Sequence, residues 1–160
     1  RVLFRSFMDS ANLITRSYAG HIDCEVSDQY RTQAGALRFL DNIIHYPGCG
    51  EFFAPASLLA FRDGMPGALP CGMILTSVVS AGVAHITQLC VSPECQGSGL
   101  GRKLLRQSLG LLQARGFHTV TLTATDGNEA AMSLYRRTGF ERMLGFPAFV
   151  WESSWRDARV

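Results

Sequence analysis

Three glycines in five residues constrain this chain more than any other feature. Gly97, Gly99 and Gly101 lie between Val83–Val91, which is rich in β-branched and apolar residues, and residues 101–115, where Leu104, Leu105, Ser108, Leu109, Leu111 and Leu112 recur at helical spacing. A strand running into a helix puts the Gln96-Gly97-Ser98-Gly99-Leu100-Gly101 loop at a helix N-terminus, where several N–H groups have no acceptor within the helix. Glycines let an anion approach the backbone and let the chain take left-handed angles. The first helical turn carries Arg102 and Lys103 but no carboxylate. Positive charge there opposes the helix dipole by a few tenths to about 1 kcal/mol, a penalty that a bound anion reverses. The competing reading is a plain tight turn.

The surroundings narrow the anion. A P-loop is excluded by the missing Gly-Lys-Ser/Thr ending. A dinucleotide fingerprint fits poorly, because the glycines follow three strand-like stretches rather than opening a first βαβ unit, although Asp126 falls near where a ribose-binding acid would stand. Those stretches are Ser57–Arg62, Cys71–Val79 and Val83–Val91, separated by turn residues around Asp63-Gly64 and Ser80-Ala81-Gly82, and they read as an antiparallel meander. His118–Ala124 follows the helix as a further strand, so residues 86–124 form a strand-helix-strand unit with a parallel or splayed pair. Asn128 is placed to cap a helix over Glu129–Arg137, and Phe140–Leu144 and Ala148–Glu152 read as two last strands.

Ahead of the meander, Phe7, Ala11, Ile14 and Tyr18 fall at helical spacing, with Gly20 after them. A second helix is expected from a Ser27 or Asp28 cap, carrying Tyr30, Ala34, Leu37, Leu40 or Asp41, and Ile44 inward until Pro47-Gly48 stops it. These elements predict a mixed α/β sandwich. The chain has 160 residues, enough for one domain with a sizeable core, and 47% hydrophobic against 18% charged residues argue for order. A net charge of +2 with scattered basic residues gives no reason to expect nucleic acid. Five cysteines without a C-x-x-C pair suggest free thiols in a reducing cytosol and no metal site. No apolar run suits a membrane span and no signal peptide is visible, so a cytoplasmic protein is expected. The sequence opens at Arg1 without a methionine, which suggests a piece of a longer protein.

Gln96–Gly101 resembles the Q/R-x-x-G-x-G/A signature of the GCN5-related N-acetyltransferases (GNAT). Asn128–Phe140, reading N-E-A-A-M-S-L-Y-R-R-T-G-F, resembles the N-x-x-A-x-x-L-Y-x-x-x-G-F segment of that family, and the likeness is specific from about Val83 to Phe140. It implies a GNAT-type mixed, mainly antiparallel sheet flanked by helices, with splayed central strands. Acceptor-side helices would occupy about 6–46, a coenzyme-binding core about 57–140 and terminal strands about 140–152. The family's first strand would have to lie in Val2–Arg5 or upstream, where a partner domain is also expected.

The resemblance implies acetyl-CoA as acyl donor, its pyrophosphate on the N–H groups from Gly97 to Arg102 and its pantetheine amides on the strand edge around Leu89, Cys90 and Val91. Gln96, Ser98, Leu100 and Gly101 belong to the same loop, and Asn128 either bonds the coenzyme or only caps its helix. His85 falls where several family members carry a carboxylate base, and an imidazole suits proton acceptance near neutral pH; a sheet histidine without catalytic role is the alternative. Tyr135 matches the family's tyrosine acid, with a core aromatic as the alternative. A backbone N–H near Leu89 or Cys90 would receive the developing oxyanion. Strand alternation puts His85, Thr87, Leu89 and Val91 on one face. Tyr18, His21, Asp23, Glu25, Asp28 and Tyr30 form a polar, aromatic cluster where the family builds its acceptor site, with Tyr18, His21, Asp23 and Tyr30 the expected contacts to an amine on a small molecule or protein; a solvated helix–helix loop is the alternative. The expected activity is acetyl transfer to a primary amine by direct attack. A coenzyme-binding regulatory module without turnover is the rival, and a nucleotide-dependent redox domain a third reading.

Overall fold

Strand β3 (Pro70–Ser80) is the axis of the fold. In the computed structural model, which describes residues 2–48, 50–62 and 68–147, β3 turns at Ala81-Gly82 and pairs antiparallel with β4 (Val83–Val91). The opposite edge of β3 takes β1 (Glu51–Phe52) and β2 (Leu58–Phe61), both antiparallel. β5 (Thr119–Leu122) joins β4 in parallel, so the sheet is mixed and mainly antiparallel. The parallel pair is the one implied by the strand-helix-strand order of residues 86–124, since parallel neighbours need a crossover.

Helices cover both faces. On one, α1 (Val2–Tyr18) and α3 (Gln33–His45) bring Ala11, Leu13, Ile14, Ala36, Leu40 and Ile43 against Met73, Leu75 and Cys90. On the other, α4 (Leu100–Gln113) presses Leu104 and Leu105 against Ile74 and Ile86. Met73 and Leu75 face one layer and Ile74 the other, the period of two that a strand buried on both sides requires. The helix α5 (Glu129–Arg137) adds Leu134 and Tyr135 to the second cluster.

β4 does not keep that period. Opposite it, Leu75 pairs with Gln88 and Thr76 with Ile86, so Thr87 is an extra residue, a β-bulge. Ala84 and Ile86 face the α4 layer before the bulge, whereas Leu89 and Val91 face it afterwards and Cys90 faces the α1–α3 layer. The expected single face for His85, Thr87, Leu89 and Val91 is thereby corrected: His85 lies opposite Leu89 and Val91 because one added residue inverts the register. Pairing with β5 also ends at Ile86, opposite Leu122. From Thr87 to Val91, β4 has β3 on one side and no strand on the other among the described residues.

Other expectations are corrected too. The second helix starts at Gln33, not after Ser27 or Asp28, because Thr32 wins the cap by accepting from the Gly35 N–H at 3.0 Å. Two short turns, α2 (Asp23–Val26) and a 3₁₀ turn at Asp28–Tyr30, fill the interval. Val2–Arg5 is part of α1 and not a strand. Phe140–Leu144 forms no strand; Phe140 instead packs edge-on against Tyr135 at 5.9 Å between ring centres, and Met143 and Leu144 are exposed. Ala148–Glu152 lies outside the described residues, as do the 63–67 turn and Cys49. The strand β1 had no sequence signal beyond two residues.

Leu105 is fully buried between sheet and α4. Leu105→Ala is expected to cost about 2–5 kcal/mol in urea unfolding, through lost burial and the cavity left behind. Leu144→Ala, at a position 85% exposed, should stay within about 0.5 kcal/mol of the parent.

Candidate active site

The glycine loop lies where β4 gives way to α4. Gly97 and Gly99 have φ of +72° and +81°, and nothing stands within 4 Å of where their Cβ atoms would be. The left-handed backbone strains any other L residue, and the open space leaves the peptide face reachable. Lys103 N–H donates to the Gly99 carbonyl, closing the first helical ring. Ahead of it, the N–H groups of Gly97, Ser98, Gly99, Leu100, Gly101 and Arg102 have no acceptor among the described residues. Arg102 and Lys103 are exposed beside them, with no ion-pair partner among the described residues. Consecutive N–H donors, the positive end of a helix and two cations form one positive cradle, which suits a pyrophosphate. Asp126, the residue weighed as a ribose acid, is exposed and paired with Arg142 at 3.0 Å.

The edge of β4 leads into this cradle. Ser92 N–H donates to the Cys71 carbonyl at 2.9 Å, so by ladder alternation Cys90 also points its backbone at β3 while Leu89 and Val91 point theirs to the open side. The Val91 carbonyl confirms that direction, because it accepts from Gln96 Nε2 at 3.1 Å. Leu89 therefore offers a free N–H where β4 and β5 part, and Cys90 does not. Burial pushes the Cys90 thiol up to about 12, which disfavours the thiolate a nucleophile requires.

His85 is half-buried, and desolvation lowers its pKa from the ordinary value, keeping the ring neutral at pH 7. Its Nδ1 lies 2.8 Å from Thr121 Oγ1 on β5, and its Nε2 has no hydrogen-bond partner among the described residues. Tyr135 is pushed up to about 12 by burial, with the charge of Asp23 and then Tyr30 adding to the effect, so its phenol holds a proton throughout the neutral range. It packs in the α4-side cluster. Asn128 Oδ1 accepts from the Ala131 N–H at 3.1 Å and caps α5, while its amide nitrogen keeps both donors.

On the opposite wall, Tyr18 and Tyr30 stack with ring centres 4.2 Å apart, and His21 meets Tyr18 edge-on at 5.5 Å. Burial raises the pKa of both tyrosines, so they are neutral. Gln88 Nε2 donates to Tyr18 Oη at 3.0 Å, tying the end of α1 to β4 just after the bulge. Ile22 then reaches across to Gly127, where a Cβ would lie 2.7 Å from the end of the Ile22 side chain, Cδ1. The α1–α2 connection thus leans on the entry to α5, the helix that carries Tyr135.

Gln88, Thr121 and Gly127 were not singled out from the sequence. A buried glutamine between apolar neighbours was the one available signal, because a fully buried amide needs a partner. Nothing local marks Thr121 or Gly127, whose partners are far away in the chain.

Known proteins share the family and the fold. Residues 17–140 match the Acetyltransferase (GNAT) family. A mycothiol acetyltransferase from Pseudarthrobacter chlorophenolicus is 50% identical over 97 residues, 58% of this chain and 29% of its own length. Another from Clavibacter michiganensis is 36% identical over 132 residues, 82% of this chain and 38% of its length. The matched stretches thus span well under half of these curated relatives. Among solved structures, the ribosomal-protein-S18-alanine N-acetyltransferase from Escherichia coli superposes with a TM-score of 0.64 at 22% identity, over 86% of this chain and 73% of that one. The PaiA N-acetyltransferase from Thermoplasma acidophilum, solved with coenzyme A, has a TM-score of 0.62 at 18% identity, over 86% of this chain and 84% of that one.

The loop geometry separates its glycines. Gly99→Ala is expected to lose about 1–2 kcal/mol in thermal or urea unfolding, from the left-handed angle alone. Gly101 has no positive φ, and its Cβ would meet Val91 and Leu134 at ordinary distances of 3.6 and 3.7 Å. Gly101→Ala should therefore be neutral or slightly stabilising, since alanine favours a helix.

Proposed function

The chain belongs to the acetyltransferase (GNAT) family, and on that premise we propose that it transfers an acetyl group from acetyl-CoA to a primary amine by direct attack. The observation that carries the reading is the row of unpartnered N–H groups from Gly97 to Arg102, continuous with the open edge of β4. The pyrophosphate takes the loop donors and the pantetheine amides pair with Leu89 and Val91, with the Asn128 amide available to the same ligand. This fits the donor set present: many neutral and cationic donors, and no carboxylate in the first turn of α4.

The amine arrives mostly protonated at neutral pH and must lose a proton before its lone pair can attack. His85 Nε2 takes that proton, directly or through one water. Nitrogen then bonds to the thioester carbon, and negative charge grows on the carbonyl oxygen, toward the Leu89 N–H. When the C–S bond breaks, the sulfur leaves with the electron pair and takes the Tyr135 Oη proton. The nitrogen releases to solvent the second proton that an amide cannot keep, and Tyr135 is reprotonated from solvent. The products are an amide and coenzyme A. The names of the curated relatives support a small-molecule acceptor, while the E. coli enzyme is named for a ribosomal-protein alanine.

Thermal shift with acetyl-CoA, coenzyme A and NAD tests the donor first. The two coenzyme A species should raise Tm, by an amount reflecting about 2.7 kcal/mol at a hundredfold excess over Kd, and NAD should not. Gly99→Glu should abolish the shift by placing a carboxylate where the phosphate belongs. Stabilisation by NAD alone would return the loop to the redox reading, and binding without acetyl transfer to any amine would favour the regulatory module.

For the chemistry, Tyr135→Phe is expected to lower kcat by about 10²–10⁴-fold with acetyl-CoA affinity unchanged. The His85 pKa lies below its ordinary value of about 6.5, and the neutral ring is the base. Measured against a responsive amine, kcat/KM should accordingly fall as pH drops through a value under 6.5, and His85→Ala should lose that limb together with about 10²–10⁴ in rate. A loss below tenfold in a folded variant removes His85 from the mechanism.

A further inference from the structure

The His85 ring has one hydrogen-bond partner among the described residues, the Thr121 hydroxyl, whose Oγ1 is 2.8 Å from Nδ1. The two residues lie side by side because β4 and β5 pair in parallel, with His85 opposite Thr121 and Ala84 opposite Val120. Valine has the same branched shape and the same preference for strands, so the sheet itself does not call for a hydroxyl at this position. The Ala84 carbonyl stands 3.5 Å from the same oxygen, a long contact that Thr121 makes as donor.

Counting protons shows what this pair can do. A neutral imidazole has one N–H and one acceptor nitrogen, whereas an imidazolium has two N–H groups and no acceptor. With the neutral ring's proton on Nε2, the Thr121 hydrogen can point to Nδ1. Once both nitrogens carry protons, Oγ1 can only accept from Nδ1, and its own hydrogen turns toward the Ala84 carbonyl. The neutral form with Nε2 bare, which a base acting through that nitrogen requires, makes the same demand on Thr121. Without the hydroxyl, the Nδ1–H of a half-buried ring would have no partner among the described residues in either state. Resting on the acetyl-transfer reading with His85 Nε2 as base, we infer that Thr121 is a positioning residue for that base. Its Oγ1 accepts from Nδ1 while Nε2 stands bare, and again once Nε2 holds the amine's proton. Charge-assisted hydrogen bonds are roughly twice as strong as neutral ones, so the pairing favours the imidazolium over the neutral ring. Ser77 stands opposite His85 on β3 and Thr121 on β5, and neither is charged; burial alone displaces the His85 pKa, with no contribution from a charged group on any packed element among the described residues.

Thr121→Val and Thr121→Ser separate the hydroxyl from the shape of the side chain, with Thr121→Ala as a second variant lacking the hydroxyl. His85 is first titrated through its ring resonances by NMR in the protein without ligands, which needs neither coenzyme nor acceptor. In Thr121→Val the midpoint should fall by about 0.5–1 pH unit, a roughly three- to tenfold weaker hold on the proton, while Thr121→Ser stays with the parent. An unchanged or raised midpoint in Thr121→Val overturns the inference, and so does a serine variant that behaves like valine. In the second measurement kcat/KM is followed against pH with an amine that the parent acetylates. Thr121→Val should lose about three- to tenfold above the acidic limb, and the limb should move down by the interval found by NMR, with KM for acetyl-CoA unchanged. Serine should restore both. A valine variant with the parent's profile overturns the inference, and His85→Ala on the same amine keeps the two readings apart. If His85→Ala also stays within tenfold of the parent, the fault lies with His85 as base; if it loses the limb, the fault lies with Thr121 alone.

Discussion

One surplus residue in β4 is the constraint on which the site depends. Thr87 stands opposite no partner of its own, and its hydroxyl donates to the Leu75 carbonyl at 3.2 Å, fixing the bulge against β3. A bulge bends the strand and increases its twist. The parallel pairing with β5 ends one residue earlier, at Ile86. Beyond that point β4 is paired on one edge only among the described residues, with Leu89 and Val91 presenting backbone groups to the other side. In an unbulged strand the same residues would point their side chains at the opposite layer, and the wall beside the glycine loop would be built from Gln88 and Cys90.

Contacts of different strength hold the end of α1. Gln88 to Tyr18 is a buried hydrogen bond, and leaving either partner unpaired there costs about 1–3 kcal/mol. The Arg16–Glu94 ion pair also joins α1 to the turn before the glycine loop, but both side chains are 43% exposed, and exposed pairs contribute little. The amide–phenol bond thus does more than the ion pair to hold the end of α1 against β4. No helix among the described residues is long and apolar enough to cross a membrane.

Burial supplies the electrostatics of the site more than neighbouring charges do. Desolvation is the leading cause for His85, Tyr18, Tyr30 and Tyr135, lowering the imidazole and raising the phenols, so that it favours the neutral form of each. A neutral imidazole can take a proton and a neutral phenol can give one. The cationic loop at the head of α4 stands apart in solvent, where a dianionic ligand meets no carboxylate in the helix's first turn.

The sequence by itself determined what a few neighbouring residues decide. The helical stripe of α4, the Asn128 cap, the glycines with left-handed angles and the order strand, loop, helix, strand all rest on spacings of two to four residues. The cap expected at Ser27 or Asp28 proved to be Thr32, because the chain makes a separate short turn at Asp28–Tyr30 before α3 begins. The bulge was invisible, since Val83–Val91 reads as an unbroken strand whether or not one residue is left over. Tyr18 meets Gln88 across 70 residues and His85 meets Thr121 across 36, and such pairs exist only once the sheet register is set. Tertiary structure alone therefore decided which way His85 faces and which N–H groups of β4 lack a strand partner among the described residues: each depends on strands and loops brought together over distances that no local period encodes.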